Sequence, residues 1–207
     1  MAPKGPTPLM LLISAPSGAG KTTLCESLLK ANPKMQRAIT CTTRPPRDGE
    51  ADGVDYHFLA ADTFLRRVES GHFLEHATVY GYSYGTLRSE VMQRLDEGID
   101  VLINVDVQGA STIRRVAEDD PVLRAALVTL FLTPPSIEML ERRLRKRASD
   151  SDEVIARRLG VARQEAAQWR HFDYLLVSET PDGDTRRAQA IVEAERMRPR
   201  RSVPPML

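Results

Sequence analysis

The sequence predicts an α/β fold: a three-layer core around a central parallel sheet, carrying an inserted antiparallel α+β subdomain and a helical lid. Three observations predict it. Four short apolar runs of strand length, at 9–14, 101–107, 126–132 and 174–177, read as buried parallel strands because no polar residue alternates regularly with the apolar ones. Helical patterns separate the runs, and strands alternating with helices pack as a sheet covered on both faces. One stretch, 37–89, breaks this rhythm with Gly, Thr, Tyr and Asp.

In chain order, the first run ends in a glycine-rich turn, and 21–31 follows as a helix. Within the irregular stretch, 54–59 and 73–80 read as short strands, with a small helix over 62–70 closing at Gly71. The pattern 91–97 is helical and stops at Gly98. After the second run, Ala110, Ile113 and Val116 form a helical stripe. After the third, Ser136 caps a helix with Ile137, Leu140 and Leu144 on one face. The segment 138–170 is helical and heavily basic. The expected units are therefore a core of 9–36, 91–133 and 173–197, an inserted subdomain of 37–90, and a lid of 134–172. The ends, 1–8 and 198–207, are rich in Pro or Arg without apolar periodicity, and both are expected to fray.

Composition narrows the function classes. The chain has 207 residues, 42% hydrophobic and 28% charged, which suits one soluble globular unit. A formal net charge of +1 supplies no global field for nucleic acid or a membrane surface, so attraction for phosphate must be local. The two cysteines, Cys25 and Cys41, make no CxxC or Cys/His metal pattern, and reduced thiols in the cytoplasm are expected. The first apolar run is too short for a signal peptide or a membrane span.

The motif that carries chemistry is Ala15-Pro16-Ser17-Gly18-Ala19-Gly20-Lys21-Thr22, with Thr23 next. It follows a strand and opens a helix, which is the context a P-loop requires. Gly18 and Gly20 let backbone N–H groups converge on phosphate oxygens at the positive end of the helix. Lys21 suits the β- and γ-phosphates, and the Thr22 hydroxyl is a ligand for Mg²⁺. This much specifies a nucleoside triphosphate and no more.

A second set of residues lies in the irregular stretch. Arg44 and Arg47, three apart and stiffened by Pro45 and Pro46, can fork onto one phosphate, although such arginines also serve as plain surface charge. Beyond them come Asp55-Tyr56-His57-Phe58, Phe73-Leu74-Glu75 and Tyr82-Ser83-Tyr84-Gly85-Thr86. Asp106, after the run 101–105, sits where α/β folds place ligands, and reads as a Walker-B-type acid for Mg²⁺ or as a helix cap.

The order P-loop, TTRPPRDGE, DYHF, FLEHA, YGYSYGT and VDVQGA resembles the guanylate kinase family from about residue 9 to residue 196. The resemblance implies an ATP:GMP phosphotransferase using Mg²⁺, with dGMP as a further acceptor, and a monomer or homodimer. It implies that Arg44, Arg47, Tyr56 and Tyr84 hold the GMP phosphate, with Glu50 beside them. Glu75 would read guanine N1–H and the 2-amino group, with Thr40 and Thr86 donating to O6. Asn104 and Asp106 would complete the GMP side. Lid arginines Arg143, Arg147 and Arg158 would close over the transferring phosphoryl group and join Lys21 and Arg44 in catalysis. The chain departs from the family at Asn104, where most relatives carry an acid, and at Ser178, where an Asn is usual near adenine. A related ribose bisphosphate kinase would leave Glu75, Thr40 and Thr86 without a base edge to read. An inactive protein-binding module would not need Gly20, Lys21, Thr22 and Asp106.

Overall fold

The computed structural model describes residues 6–16, 18–79, 81–146 and 152–202. Five parallel strands make the central sheet: β1 (Met10–Ser14), β2 (Met35–Arg37), β7 (Asp100–Asn104), β8 (Leu127–Thr133) and β9 (Tyr174–Val177), in the order β2-β7-β1-β8-β9. The four expected runs are all present; β2, three residues long and flanked by charge, carries too little apolar signal to be foreseen. The run at 174–177 is β9 itself, and the other three are shifted or shortened by one to three residues. The run at 101–107 is the clearest case, since Val107 already belongs to the following helix.

β1 is fully buried and alternates between the two faces of the sheet. Leu9, Leu11 and Ile13 pack with Leu24, Cys25 and Leu28 of α1 (Lys21–Ala31) and with Ala188 and Val192 of α8 (Pro181–Arg196). Met10 and Leu12 face α3 (Arg88–Asp96), α4 (Val107–Asp119) and α5 (Pro121–Ala126) through Val91, Leu95, Ala110, Ile113 and Leu123. This continuous apolar character, rather than alternation, is what a strand covered on both faces needs.

The inserted subdomain is a four-stranded sheet in the order β4-β3-β6-β5, formed by β3 (Thr40–Thr42), β4 (His57–Phe58), β5 (Phe73–Val79) and β6 (Tyr82–Leu87). It is antiparallel through β3, β6 and β5, and two-residue β4 joins parallel at the β3 edge. Helix α2 (Ala61–Glu69) packs on it through Phe64, whose ring stacks on Phe73 at 4.5 Å. The segment expected as a lid comprises α6 (Ile137–Lys146), α7 (Asp152–Ala166) and a 3-10 turn, Ala167–His171. Leu140 and Ala162, with Ile137 and Leu159, form its own small core. The Leu144 side chain lies outside the described residues.

Fraying was expected over 198–207; residues 203–207 lie outside the described residues, and within 198–202 Arg201 is buried while its neighbours are exposed. Arg201 is only 1% exposed and lies against Glu195, also 1% exposed, and its guanidinium reaches the Pro8 and Leu127 carbonyls. Its own carbonyl accepts from Thr7 N at 3.2 Å, so residues 6–8 are tied down with it. No helix among the described residues is long and apolar enough to cross a membrane.

Candidate active site

The phosphate loop turns at the carboxyl end of β1, the central strand, with its glycines in left-handed backbone: Gly18 at φ 88° and Gly20 at φ 103°. No L side chain adopts that conformation readily, which is why Gly is required there. Gly20 is also the residue that opens α1, so the loop's N–H groups meet the positive end of that helix. Lys21 Nζ donates to the Val105 carbonyl at 2.6 Å, which holds the ammonium between the loop and the end of β7. Burial holds the Lys21 pKa below its ordinary value, with Cys25 and the Asp106, Glu165 and Glu75 carboxylates opposing.

Two cavities flank the loop. The one on the Asp106 side, about 430 Å³, is bordered by Pro16, Gly20, Lys21, Thr22, Asp106 and Arg158. Val79 of β5 and Arg157 and Glu165 of α7 also border it, so core, subdomain and lid converge there. The other, about 380 Å³, lies behind Gly18, Ala19 and Thr23 and reaches Leu24, Ser178, Pro181 and Asp184. Arg143 of α6 stands at its mouth, donating to the Ala19 carbonyl at 2.9 Å and to Ser178 Oγ at 3.4 Å.

Asp106 caps α4, its Oδ1 accepting from Gly109 N at 2.8 Å. The capping and metal readings are thus compatible: the helix uses one oxygen, and no hydrogen bond to the other is seen among the described residues. Thr22 is exposed at the loop. Two hard oxygen donors beside a phosphate-binding turn fit Mg²⁺, which keeps most of its waters and takes few protein ligands.

Glu75 is only 5% exposed, set on β5 against the first turn of α4. A Cβ on Gly109 would come within 2.9 Å of Glu75 Oε2, so the carboxylate occupies space that only glycine leaves open. Thr86 Oγ1, on the neighbouring strand, donates to Glu75 Oε1 at 2.8 Å. The Thr86 hydroxyl hydrogen is therefore committed to orienting Glu75. Thr40 stands directly opposite Thr86 in the β3–β6 register. Burial pushes the Glu75 carboxyl up to about 7; the Thr86 hydrogen bonds oppose the rise, Asp106 adds to it, and Lys21 also opposes it.

At the far end of the same sheet, Arg44 is 8% exposed and paired with both Glu50 oxygens at 2.8 and 2.9 Å. Glu50 also accepts from Arg47 N at 2.8 Å, so one carboxylate ties both arginine positions into a single turn. The Arg44 guanidinium lies 5.4 Å from the Tyr56 ring centre, and Tyr56 and Tyr84 meet edge-on at 6.2 Å. The Arg47 side chain is exposed. The structure thus assembles Arg44, Glu50, Tyr56 and Tyr84 in one cluster and Glu75, Thr86 and Asp106 in another. Asn104 ends β7 opposite Ile13, half-buried. Ser17 and Arg147 lie outside the described residues.

Sequence reasoning did not single out Gly109, nor Asp184, which accepts from Ser178 Oγ at 2.7 Å and from Arg187 at 2.7 Å. A signal for Asp184 exists: Thr180-Pro181 followed by Gly183 marks a helix start just past the last strand, and places Asp184 in its first turn.

A phosphate-cradling loop at the head of a central parallel strand, with a separate polar pocket on an inserted sheet, defines a P-loop nucleotide kinase by class. A family model described as guanylate kinase matches residues 7–195. A guanylate kinase of Paramagnetospirillum magneticum is 46% identical over 195 residues, covering 94% of this chain and 88% of that one. Another, of Alkalilimnicola ehrlichii, is 45% identical, covering 94% and 93%. The crystal structure of guanylate kinase from Anaplasma phagocytophilum matches at 31% identity with a TM-score of 0.74, covering 95% of this chain and 90% of that one. This chain belongs to the guanylate kinase family.

Proposed function

We propose that this chain transfers the γ-phosphoryl group of ATP to GMP, giving ADP and GDP. One observation carries the choice of acceptor: Glu75, buried and oriented by Thr86, lies on the inserted sheet against the α4 turn that begins at Asp106. Guanine presents two adjacent donors, N1–H and the 2-amino group, and an ionised carboxylate matches them with two acceptors. Adenine presents an unprotonated N1 there and gains nothing.

The phosphate-facing residues divide between the two substrates. The Arg44 cluster, with Arg47, Tyr56 and Tyr84, takes the GMP phosphate at the opposite end of the sheet. Lys21 and the loop N–H groups take the donor phosphates, and Arg143 and Arg158 neutralise charge on the transferring group. Thr22 and Asp106 would hold Mg²⁺, which when bound neutralises donor-phosphate charge. No strong general base is needed, because a phosphate monoester is already largely dianionic at neutral pH, its second pKa being about 6. Positioning and charge neutralisation supply the rate. The assigned residues read base and phosphate, and none is assigned to the 2′-hydroxyl, so dGMP is a further acceptor. Both cysteines are buried and free, which accords with a reducing, cytoplasmic setting.

The test is ADP release in a coupled assay with GMP, AMP, CMP and UMP as acceptors. GMP should be used at least a hundredfold more efficiently than the other three. Equal use of AMP would overturn the guanine reading, and no ADP release with any acceptor would overturn the enzymatic one.

A further inference from the structure

The chain leaves the core for the inserted sheet just after β2 and returns at the start of α3. The two crossings are tied to each other, Ile39 N donating to Glu90 Oε1 at 3.0 Å. Between them the chain makes a turn over 51–56, which delivers Tyr56. This turn has little packing to hold it: Ala51, Asp52 and Gly53 are exposed, and Val54 is 64% exposed. Bonds within it give its shape. Val54 N and Asp55 N donate to the Ala51 carbonyl, Gly53 N donates to the Tyr56 carbonyl, and Ala51 N donates to Asp55 Oδ2. Asp52 Oδ1 accepts from Phe58 N at 2.9 Å, which joins the turn to β4. None of these bonds fixes where the turn stands relative to the core.

Arg37 does. It is the last residue of β2, and one nitrogen of its guanidinium, Nη2, donates to both the Val54 and the Asp55 carbonyls at 2.8 Å. No other hydrogen bond to either carbonyl is seen among the described residues. A core strand thus holds, by its side chain, a turn 17 and 18 residues further on. Asp55 is bonded directly to Tyr56, whose ring lies 5.4 Å from the Arg44 guanidinium and meets Tyr84 at 6.2 Å. A displacement of the turn is therefore a displacement of Tyr56.

We propose that Arg37 is a positioning residue for the acceptor phosphate: by holding the 54 and 55 carbonyls from the core, it sets Tyr56 in place against Arg44 and Tyr84. This rests on the reading of that cluster as the GMP phosphate site. An arginine that only adds stability would spread its effect over both substrates, whereas one acting through Tyr56 confines it to the acceptor's phosphate. Both bonds leave from a single nitrogen, so the planar fork of Arg is not what the turn needs. A Lys ammonium, with three hydrogens on one nitrogen, can make the same pair of bonds; an aliphatic chain can make neither.

The experiment has two readouts. Calorimetry gives Kd for GMP, for guanosine, which lacks the phosphate, and for a non-hydrolysable ATP analogue. NMR of ring-labelled tyrosine reports on the ligand-free protein, with Tyr174 of β9 as the distant control. One hydrogen bond lost is worth about 3–10-fold. Arg37→Met should weaken GMP by that factor and by no more than Tyr56→Phe does, with guanosine and the ATP analogue within twofold of wild type. The Tyr56 and Tyr84 signals should shift while that of Tyr174 stays. Arg37→Lys should restore GMP binding to within about threefold and return both signals. In a Tyr56→Phe background, Arg37→Met should add less than twofold, because residues acting through one another are not additive.

Unmoved Tyr56 and Tyr84 signals, or GMP affinity within twofold of wild type in Arg37→Met, overturns the proposal. So does an equal loss for GMP, guanosine and the ATP analogue, which would mean a general distortion. An undiminished effect in the Tyr56→Phe background overturns it too, since Arg37 would then act by its charge and not through Tyr56. Signals that move as expected in a protein whose wild type binds the ATP analogue but no GMP keep Arg37 as the holder of Tyr56 and overturn the proposed acceptor instead.

Discussion

Glu75 concentrates the physics of the site in one side chain. Replacing it by Gln keeps one acceptor but turns an NH₂ toward a guanine donor. Loss of a charge-assisted hydrogen bond costs about 1.5–3 kcal/mol, and the unsatisfied donor about 1–3 more. Glu75→Gln is therefore expected to lower kcat/KM for GMP by roughly 10²–10⁴, at 1.4 kcal/mol per decade, and to leave the feeble use of AMP almost unchanged. A fall of less than threefold for GMP, or a parallel fall for AMP, would remove Glu75 from base recognition. The same residue sets a pH dependence. Its folded-state pKa of about 7 stands above the ordinary 4.5. A group raised on folding contributes stability that is complete below the unfolded pKa and is lost as pH rises through the folded one. The ligand-free protein should thus lose stability between about pH 4.5 and 7, by on the order of 3 kcal/mol at most. Melting temperature against pH should show this step in the wild type and not in Glu75→Gln. GMP needs the ionised carboxylate, so its affinity should climb up to about pH 7 in the wild type. Glu75→Gln serves as the control that subtracts titration of the GMP phosphate itself.

At the scale of elements, the first turn of α4 and the strand β5 are built for one another. Alanine in a helix is ordinarily favoured over glycine by about 0.5–1 kcal/mol, so a glycine in that turn calls for a reason. At Gly109 the reason is the 2.9 Å that a Cβ would leave to Glu75 Oε2. The nearest atom it would meet is the end of a side chain, which can yield, and Val105 Cβ at 3.2 Å has to give by only a few tenths of an ångström, so the fold should survive. Gly109→Ala is expected to move the melting temperature by no more than a few degrees, while raising the KM for GMP about tenfold and leaving that for ATP within twofold. Equal changes in both KM values would mean a general distortion. This pairing was not legible in the sequence, because nothing in the local pattern says that a helix start at 107 abuts a strand at 75. The phosphate loop was legible, since its whole geometry lies within nine consecutive residues. β1, β8 and β9 were legible as apolar runs, whereas β3 and β6, short and hydroxyl-rich, carry no periodicity, and only pairing with each other defines them.

Over the whole molecule, composition misled at the C-terminus. A Pro/Arg segment reads as solvated, and Arg198 and Arg200 are exposed, yet Glu195, which pairs with both, also takes a buried Arg201. The guanidinium of Arg201 is buried because an acid one to two turns earlier neutralises it, a relation no hydropathy count records. The arms over the site were legible as insertions, since each interrupts the strand–helix alternation, but their convergence was not. In the structure, Val79 of the inserted sheet and Arg157 and Arg158 of the lid share one cavity with Lys21 and Asp106. Each arm reaches a different substrate in the proposed reaction: the inserted sheet holds Glu75 and Arg44 for GMP, and the lid holds Arg143 and Arg158 for the donor. An open site would let water take the phosphoryl group, so closure belongs with occupancy of both sites. GMP should therefore draw in one arm, a non-hydrolysable ATP analogue the other, and the pair should compact the molecule more than either alone. Small-angle scattering of four states, ligand-free, each ligand singly and both together, measures this directly as the radius of gyration. The expected order is ligand-free largest, the singly bound states intermediate and the ternary complex smallest. In Glu75→Gln, GMP should lose its contribution at concentrations that still compact the wild type, while the ATP analogue keeps its own. A radius unchanged across the four wild-type states would show that the arms already stand closed, and the walls shared around Lys21 and Asp106 would then be a fixed chamber.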